Sequence, residues 1–141
     1  MRCTRRGLLL LLPAMILPAD DSRDIWDLFT GLAAALSEAN LLDFMASFDR
    51  SMPGYGELEA DVSGLLLQYD VQSSIDLLSD QGSGSIHNVE LDWFLQLVNQ
   101  QDSADVTRRR ERVACKLQKA KRWTIASFAP VALFEPPRAG R

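Results

Sequence analysis

The sequence has little of what metal and redox sites need. Its 141 residues include one histidine, His87, and two cysteines, Cys3 and Cys115. One imidazole excludes a metal site built from several histidines, and two thiols are too few for a cysteine-based zinc site. The glycines of "GSGSIH" precede a predicted strand and open no helix, so they are not a dinucleotide fingerprint. We therefore expect neither a metal nor a cofactor.

The sequence also lacks a positive charge balance and a long apolar run. Its net charge is −4 and its pI is about 4.9, whereas a dedicated nucleic-acid-binding domain typically has a pI above ~9. We expect no specific nucleic-acid binding, and tight binding at physiological salt would contradict this. The apolar residues 7–17 are too few to span a bilayer, which needs about 20.

The N-terminus has the pattern of an export signal. Arginines at positions 2, 5 and 6 precede the apolar stretch, and the small residue Ala19 follows it. Residues 4–10 also resemble a twin-arginine leader, while an ordinary secretory leader or a buried N-terminal helix are alternatives. We expect residues 1–19 to be a signal peptide and the mature protein to be periplasmic or extracellular, with no membrane contact after cleavage. Cys115 would then be the one remaining cysteine, so no intramolecular disulfide could form.

Hydrophobic spacing predicts three helices and then four strands. Apolar residues at three- and four-residue steps predict helices over 24–39, 41–48 and 57–69. Alternation then predicts strands at 71–77, 86–99, 107–119 and 122–134, with turns at 80–85 and 100–105. Helices followed by an antiparallel sheet indicate an α+β fold in one domain over residues 20–137, with a disordered tail at 138–141.

The basic run "RRRERVACKLQKAKRW" (108–123) divides between the two faces of the third predicted strand. Arg108, Arg110 and Arg112 share one face, and Val113 and Cys115 share the other, which identifies Cys115 as a core residue. Acidic residues on the neighbouring strand would pair with these arginines across the sheet. We interpret the run as a solvated, partly self-paired face. An interaction module that holds an acidic partner is the alternative.

Four segments resemble the nuclear transport factor 2-like (SnoaL-like, cystatin-like) superfamily: "AALSEANLLDFMASFD" (34–49), "VELDWFLQL" (89–97), "RRERVACKLQKAKRWTIASF" (109–128) and "RWTIASFAPVALFEPP" (122–137). The resemblance implies a cone-shaped fold in which about three helices pack on a curved four-stranded antiparallel sheet around an apolar pocket. It also implies a homodimer that pairs through the sheet, where Phe94 lies on the outer side. Members include isomerases, dehydratases, epoxide hydrolases and non-catalytic binding domains, so the fold alone does not give the function.

The resemblance implies candidate site residues. Enzymatic members often carry an acidic base just after the second helix, in a short strand. Here Asp49 directly follows the helix and a Pro-Gly turn replaces the short strand, so the usual base is not recognisable, and Tyr55 is the nearest other donor. On the inner face of the third strand, Arg109 and Glu111 are charges that must be paired, hydrated or functional. The predicted pocket is lined by Leu28, Phe29, Leu32, Tyr55, Leu65, Trp93, Leu95, Arg109, Glu111 and Val113.

The function expected from these observations is an exported, non-catalytic domain that binds an apolar small molecule or a partner protein. A small pocket enzyme of the isomerase or dehydratase type, with Asp49 or Glu111 as base, is the alternative. His87 begins a strand beside a Gly/Ser turn, and we interpret it as a solvated turn residue.

Overall fold

Three helices precede four antiparallel strands in the part of the chain that the computed structural model describes, residues 21–137. The first helix, α1, includes residues 21–37, and the others are α2 (Leu41–Ala46) and α3 (Tyr55–Gln68). The strands are β1 (Tyr69–Ser83), β2 (Ile86–Asn99), β3 (Asp102–Lys119) and β4 (Trp123–Ala129), and a 3₁₀ helix follows at Val131–Phe134. The predicted α+β class is confirmed. The predicted signal peptide and C-terminal tail lie outside the described residues.

The turn between α1 and α2 is built from local backbone and side-chain contacts. Ala39 has a φ of 56°, and the next amide, that of Asn40, donates to the carbonyl of Ala35 at 2.8 Å. Asn40 Oδ1 then accepts from the amide of Asp43 at 3.1 Å, which caps α2. No helix of the described part has the length and apolar character that crossing a membrane requires.

The sheet has the order β1-β2-β3-β4, and two of its strands are longer than predicted. β1 continues through the predicted turn to Ser83, and β3 begins at Asp102. β4 is shorter than predicted because it ends at Ala129, directly before Pro130, which has no N–H to donate to a ladder. The chain beyond Pro130 forms the 3₁₀ helix.

A bulge in β1 changes which side chains face the helices. Leu77 pairs with Leu91 and Ser79 pairs with Glu90, which leaves Leu78 as an extra residue. Alternation would place Asp80 on the outer face, together with Asp76. The extra residue instead places Asp80 on the inner face, the face that carries His87.

The core lies between the helices and the inner face of the sheet, and aromatic rings fill its centre. Phe134 lies with its ring centroid 5.4 Å from those of both Phe44 and Trp93, and Phe128 lies 5.7 Å from Trp93. Trp93 Nε1 donates to Ser73 Oγ at 2.6 Å. Each large apolar side chain that is fully buried contributes about 1.5–3 kcal/mol, so this cluster is a main source of stability.

Candidate functional site

The interior space where the sequence predicts a pocket is filled by side chains. Leu65, Trp93, Leu95 and Val113 have 0% exposure, and Phe29 and Leu32 have 1%. A side chain with no accessible surface adjoins no space that admits a water molecule. These predicted lining residues therefore form the core, while Leu28 packs against it from a partly buried position.

The 3₁₀ helix is the reason that the interior is closed. The sequence places residues 131–134 in a strand, where Phe134 would follow the alternation of the sheet. In the structure these residues leave the sheet after Pro130, and Phe134 enters the space between Phe44 and Trp93.

Arg109 and Glu111, the two charges predicted on the inner face of the third strand, do not pair with each other. Arg109 Nη1 donates to the carbonyl of Leu133 at 2.7 Å, and partial burial lowers the pKa of its guanidinium. Glu111 is exposed, and no ion pair joins the two side chains, both of which are described. Both lie beside a surface depression of about 440 Å³, on the part of β3 that precedes its pairing with β4, which begins at Ala114.

Asp49 and Tyr55, by contrast, do line one crevice. It lies between α2, the start of α3 and the adjoining ends of β3 and β4, and its volume is about 660 Å³. We call it the α2–α3 crevice. Its walls include Leu41, Leu42, Met45, Phe48, Gln118 and Arg122. Leu42 is 83% exposed, so part of the wall is apolar surface in contact with water.

The Asp49 carboxylate is held by its own turn. Asp49 Oδ1 accepts from Ser51 N at 2.9 Å and from Ser51 Oγ at 2.8 Å, while Oδ2 accepts from Gln118 Nε2 at 3.4 Å. The hydrogen bond from the Ser51 backbone, followed by that from its hydroxyl, lowers the pKa of Asp49. A carboxylate with a lowered pKa is a weaker general base.

The segment that carries Asp49 is fixed to the edge of the sheet. The Asp49 amide donates to the carbonyl of Ile125 at 2.9 Å, and the Ile125 amide donates to the carbonyl of Ser47 at 2.8 Å. Phe48 and Ile125 thereby form a single parallel bridge. The short strand that the resemblance implies after the second helix is thus reduced to one residue.

His87 is the residue that sequence reasoning placed wrongly. It is 7% exposed, its Nδ1 lies 2.7 Å from Asp80 Oδ1, and its ring meets that of Trp123 edge-on with 5.2 Å between centroids. It lines a cavity of about 770 Å³, which we call the hairpin cavity, together with Asp21, Ser22, Ser83, Ser85 and Lys119. The doublet Leu77-Leu78, which interrupts the alternation, was the available signal for the bulge that turns Asp80 toward His87.

Comparisons with known proteins identify the fold. No protein-family model and no curated protein sequence matches the chain. Among solved structures, a conserved protein from Planctomyces limnophilus is similar with a TM-score of 0.71 and 9% identity, over 78% of this chain and 94% of that chain. A nuclear transport factor 2-like superfamily protein from Salmonella enterica serovar Typhimurium gives 0.62 and 11%, over 87% and 96%. A ketosteroid isomerase-like protein from Erwinia carotovora atroseptica gives 0.61 and 16%, over 75% and 91%.

The chain has the nuclear transport factor 2-like fold. The order of the elements, the antiparallel sheet and the placement of the helices agree with the predicted resemblance. At identities of 9–16% these likenesses establish the nuclear transport factor 2-like architecture and no particular activity. In this chain the described interior is closed, so a ligand would bind at the surface, where the α2–α3 crevice and the hairpin cavity are two candidate sites.

Proposed function

We propose that the chain is an exported, non-catalytic domain that binds an apolar small molecule in the α2–α3 crevice. The observation that carries this proposal is the crevice wall, where Leu42 is exposed beside Leu41, Met45 and Tyr55. Its volume of about 660 Å³ lies within the ~300–1,000 Å³ typical of small-molecule sites. Gln118 and Arg122 add polar groups that can orient a ligand.

The placement of the two candidate bases supports a binding role over a catalytic one. A general base should have a pKa near the working pH, and the pKa of Asp49 is shifted the other way by Ser51. Glu111 is exposed and lies outside the α2–α3 crevice. Asp49 does line the crevice, but Ser51 and Gln118 already occupy its carboxylate oxygens.

The crevice is tested with the apolar fluorescent dye anilinonaphthalene sulfonate and two matched leucine variants. We expect Leu42→Ser to weaken dye binding several-fold, because it removes apolar surface from the crevice wall. Leu67→Ser is the control, because Leu67 is 75% exposed on α3 but is not part of the crevice wall. Equal dye affinity in the two variants, or no dye binding by the wild-type chain, would contradict the proposal.

Export is the second part of the proposed function. It is supported by the arginines at positions 2, 5 and 6, the short apolar stretch and Ala19, all of which lie outside the described residues. Cleavage after Ala19 removes three positive charges and no negative ones, so the mature net charge is −4 − 3 = −7. N-terminal sequencing of protein from the native host should find processing near Ala19, and an intact Met1 would contradict it.

We further propose that two copies associate through the outer face of the sheet. The strand register places Asp76 and Asp92, which we call the acidic strip, beside Arg108, Arg110 and Arg112 of β3, which we call the basic strip. The two strips are adjacent on one surface. Such a surface is complementary to a second copy of itself after a two-fold rotation, since each strip then meets its opposite. Half-buried Phe94 lies among these charges and offers an apolar contact.

A further inference from the structure

Lys119 places an ammonium group of the protein itself where the hairpin cavity adjoins a neighbouring depression that Trp123 lines. Lys119 Nζ lies 3.7 Å from Asp21 Oδ1 and 5.8 Å from the centroid of the Trp123 ring. An ammonium group between a carboxylate and an aromatic face is the arrangement by which proteins bind organic cations. Lys119 therefore occupies the position that a cationic ligand would take.

The lysine is held there weakly. Its side chain is 40% exposed and that of Asp21 is 29% exposed, and ion pairs this open to water are only slightly favourable. Among the described lining residues, the carboxylates of Asp21 and Asp80 face Lys119 and the His87 imidazole, which is charged only when protonated. With His87 neutral, the carboxylates outnumber the cations, so the site favours a positive charge. An added ammonium ion can displace Lys119, whose long side chain is free to turn toward solvent.

The other residues that line the cavity suit a ligand that carries hydroxyl groups. Ser83 and Ser85 contribute hydroxyl groups, and Asp80 Oδ2 adds an acceptor that the hydrogen bond to His87 leaves free. Gly82 passes close to the opposite strand: a Cβ on it would lie 2.4 Å from the carbonyl oxygen of Ile86. The glycine is therefore required for the close approach of the two strands beside the cavity.

His87 is a positioning residue for this site. Its Nδ1 holds Asp80 at 2.7 Å, and its ring packs edge-on against Trp123, so it fixes both the acceptor and the aromatic face. His87 Nε2 and Trp123 Nε1 are buried and have no hydrogen-bond partner within the described residues. Buried polar groups without partners are uncommon in folded proteins, because they cost stability. Their presence here indicates a role other than stability, such as binding a ligand.

We propose that the hairpin cavity binds a small organic cation at the position that Lys119 occupies. The ligand would carry both an ammonium group and hydroxyl groups. This site is separate from the α2–α3 crevice and does not depend on the function proposed for it.

The probe is glucosamine, and its matched control is glucose, which carries a hydroxyl group in place of the ammonium group. Titration calorimetry on the full chain at about pH 6, where the amine is protonated, should give at least tenfold tighter binding of glucosamine than of glucose. Lys119→Met should bind glucosamine about tenfold more tightly than the wild-type chain, because the competing ammonium is gone. Asp21→Asn should weaken binding about tenfold.

Lys116→Met is the control for the lysine variant, because Lys116 is exposed on the opposite face of the same strand. It should leave the affinity unchanged. Equal affinities for the two sugars would overturn the proposal, as would an affinity that does not rise in Lys119→Met. The absence of glucosamine binding in both the wild-type chain and Lys119→Met would also overturn it.

Discussion

Ala39 has a backbone conformation that residues other than glycine rarely adopt. Its φ of 56° lies in the left-handed region, where the Cβ of an L-residue approaches its own carbonyl at a cost of about 1–2 kcal/mol. The conformation is required because it ends α1 and lets the Asn40 amide reach the carbonyl of Ala35. The helix end is thus made at the expense of one strained, exposed alanine.

Ala39→Gly should therefore stabilise the protein. Glycine adopts this φ without strain, and the gain is partly offset by the greater entropy of glycine in the unfolded chain, so we expect about 0.5–1 kcal/mol. The measurement is the midpoint of urea unfolding. Ala34→Gly, at an exposed position inside α1, is the control and should destabilise by about 1 kcal/mol. Destabilisation by both variants would contradict the argument.

At the residue scale, alternation predicted the core well and polar residues poorly. Val113 and Cys115 are predicted on the inner face of the third strand, and both are buried. His87 was assigned to a solvated turn, although it is buried against Asp80. An apolar side chain is favourable on the buried face of a sheet only. A histidine is stable on either the buried or the exposed face, depending on a hydrogen-bond partner that the local pattern does not reveal.

At the element scale, the C-terminal segment determines whether the fold has an internal pocket. Residues 131–134 alternate in a way that suits a strand, but Pro130 ends the ladder and the next residues turn into a 3₁₀ helix. The two conformations differ in where Phe134 points, and that single ring fills the space beside Trp93. The local pattern predicted the helices and the order of the strands, whereas the choice between a strand and a 3₁₀ helix at residues 131–134 depends on tertiary packing.

Arg109 holds this segment in place, so its loss should loosen the C-terminal 3₁₀ helix. In Arg109→Met the carbonyl of Leu133 loses its 2.7 Å hydrogen bond, and we expect a destabilisation of about 1 kcal/mol in urea unfolding, since the guanidinium is only half-buried. Arg108→Met is the control: Arg108 contacts Gln96 on the exposed face, and its replacement should change stability by less than about 0.5 kcal/mol. Equal effects of the two variants would show that Arg109 is not an anchor.

The bulge in β1 is the other element that sequence reasoning missed. One extra residue, Leu78, reverses the faces of everything after it in β1 and brings Asp80 beside His87. Strict alternation cannot include such a residue, so the predicted strand ends at residue 77, and residues 80–85 are predicted as a turn with no face assigned to them. The hairpin cavity depends on this reversal, which is why no part of it was predicted.

At the scale of the whole molecule, one sheet separates two different surfaces. Its inner face packs against the helices and forms the core, while its outer face is open and carries charges of both signs. Asp92 accepts a two-pronged hydrogen bond from Arg110, with contacts of 3.1 and 2.6 Å, as the predicted self-pairing of this face requires. Arg112, on the same strand, is exposed and is free to meet an acidic strip from another copy.

The proposed association of two copies makes a prediction about mass and charge. Light scattering at micromolar concentration should report twice the monomer mass for the wild-type chain, and raising the salt concentration should lower it, because salt screens pairing between exposed charges. Arg110→Glu should give a monomer, since it places a negative charge in the basic strip and leaves Asp92 without its partner. Lys121→Glu makes the same change in charge in the turn that follows β3, at an exposed residue outside both strips, and should remain a dimer. A wild-type monomer, or a dimer that survives Arg110→Glu, would contradict the two-fold arrangement, because opposite strips could not then be what holds the copies together.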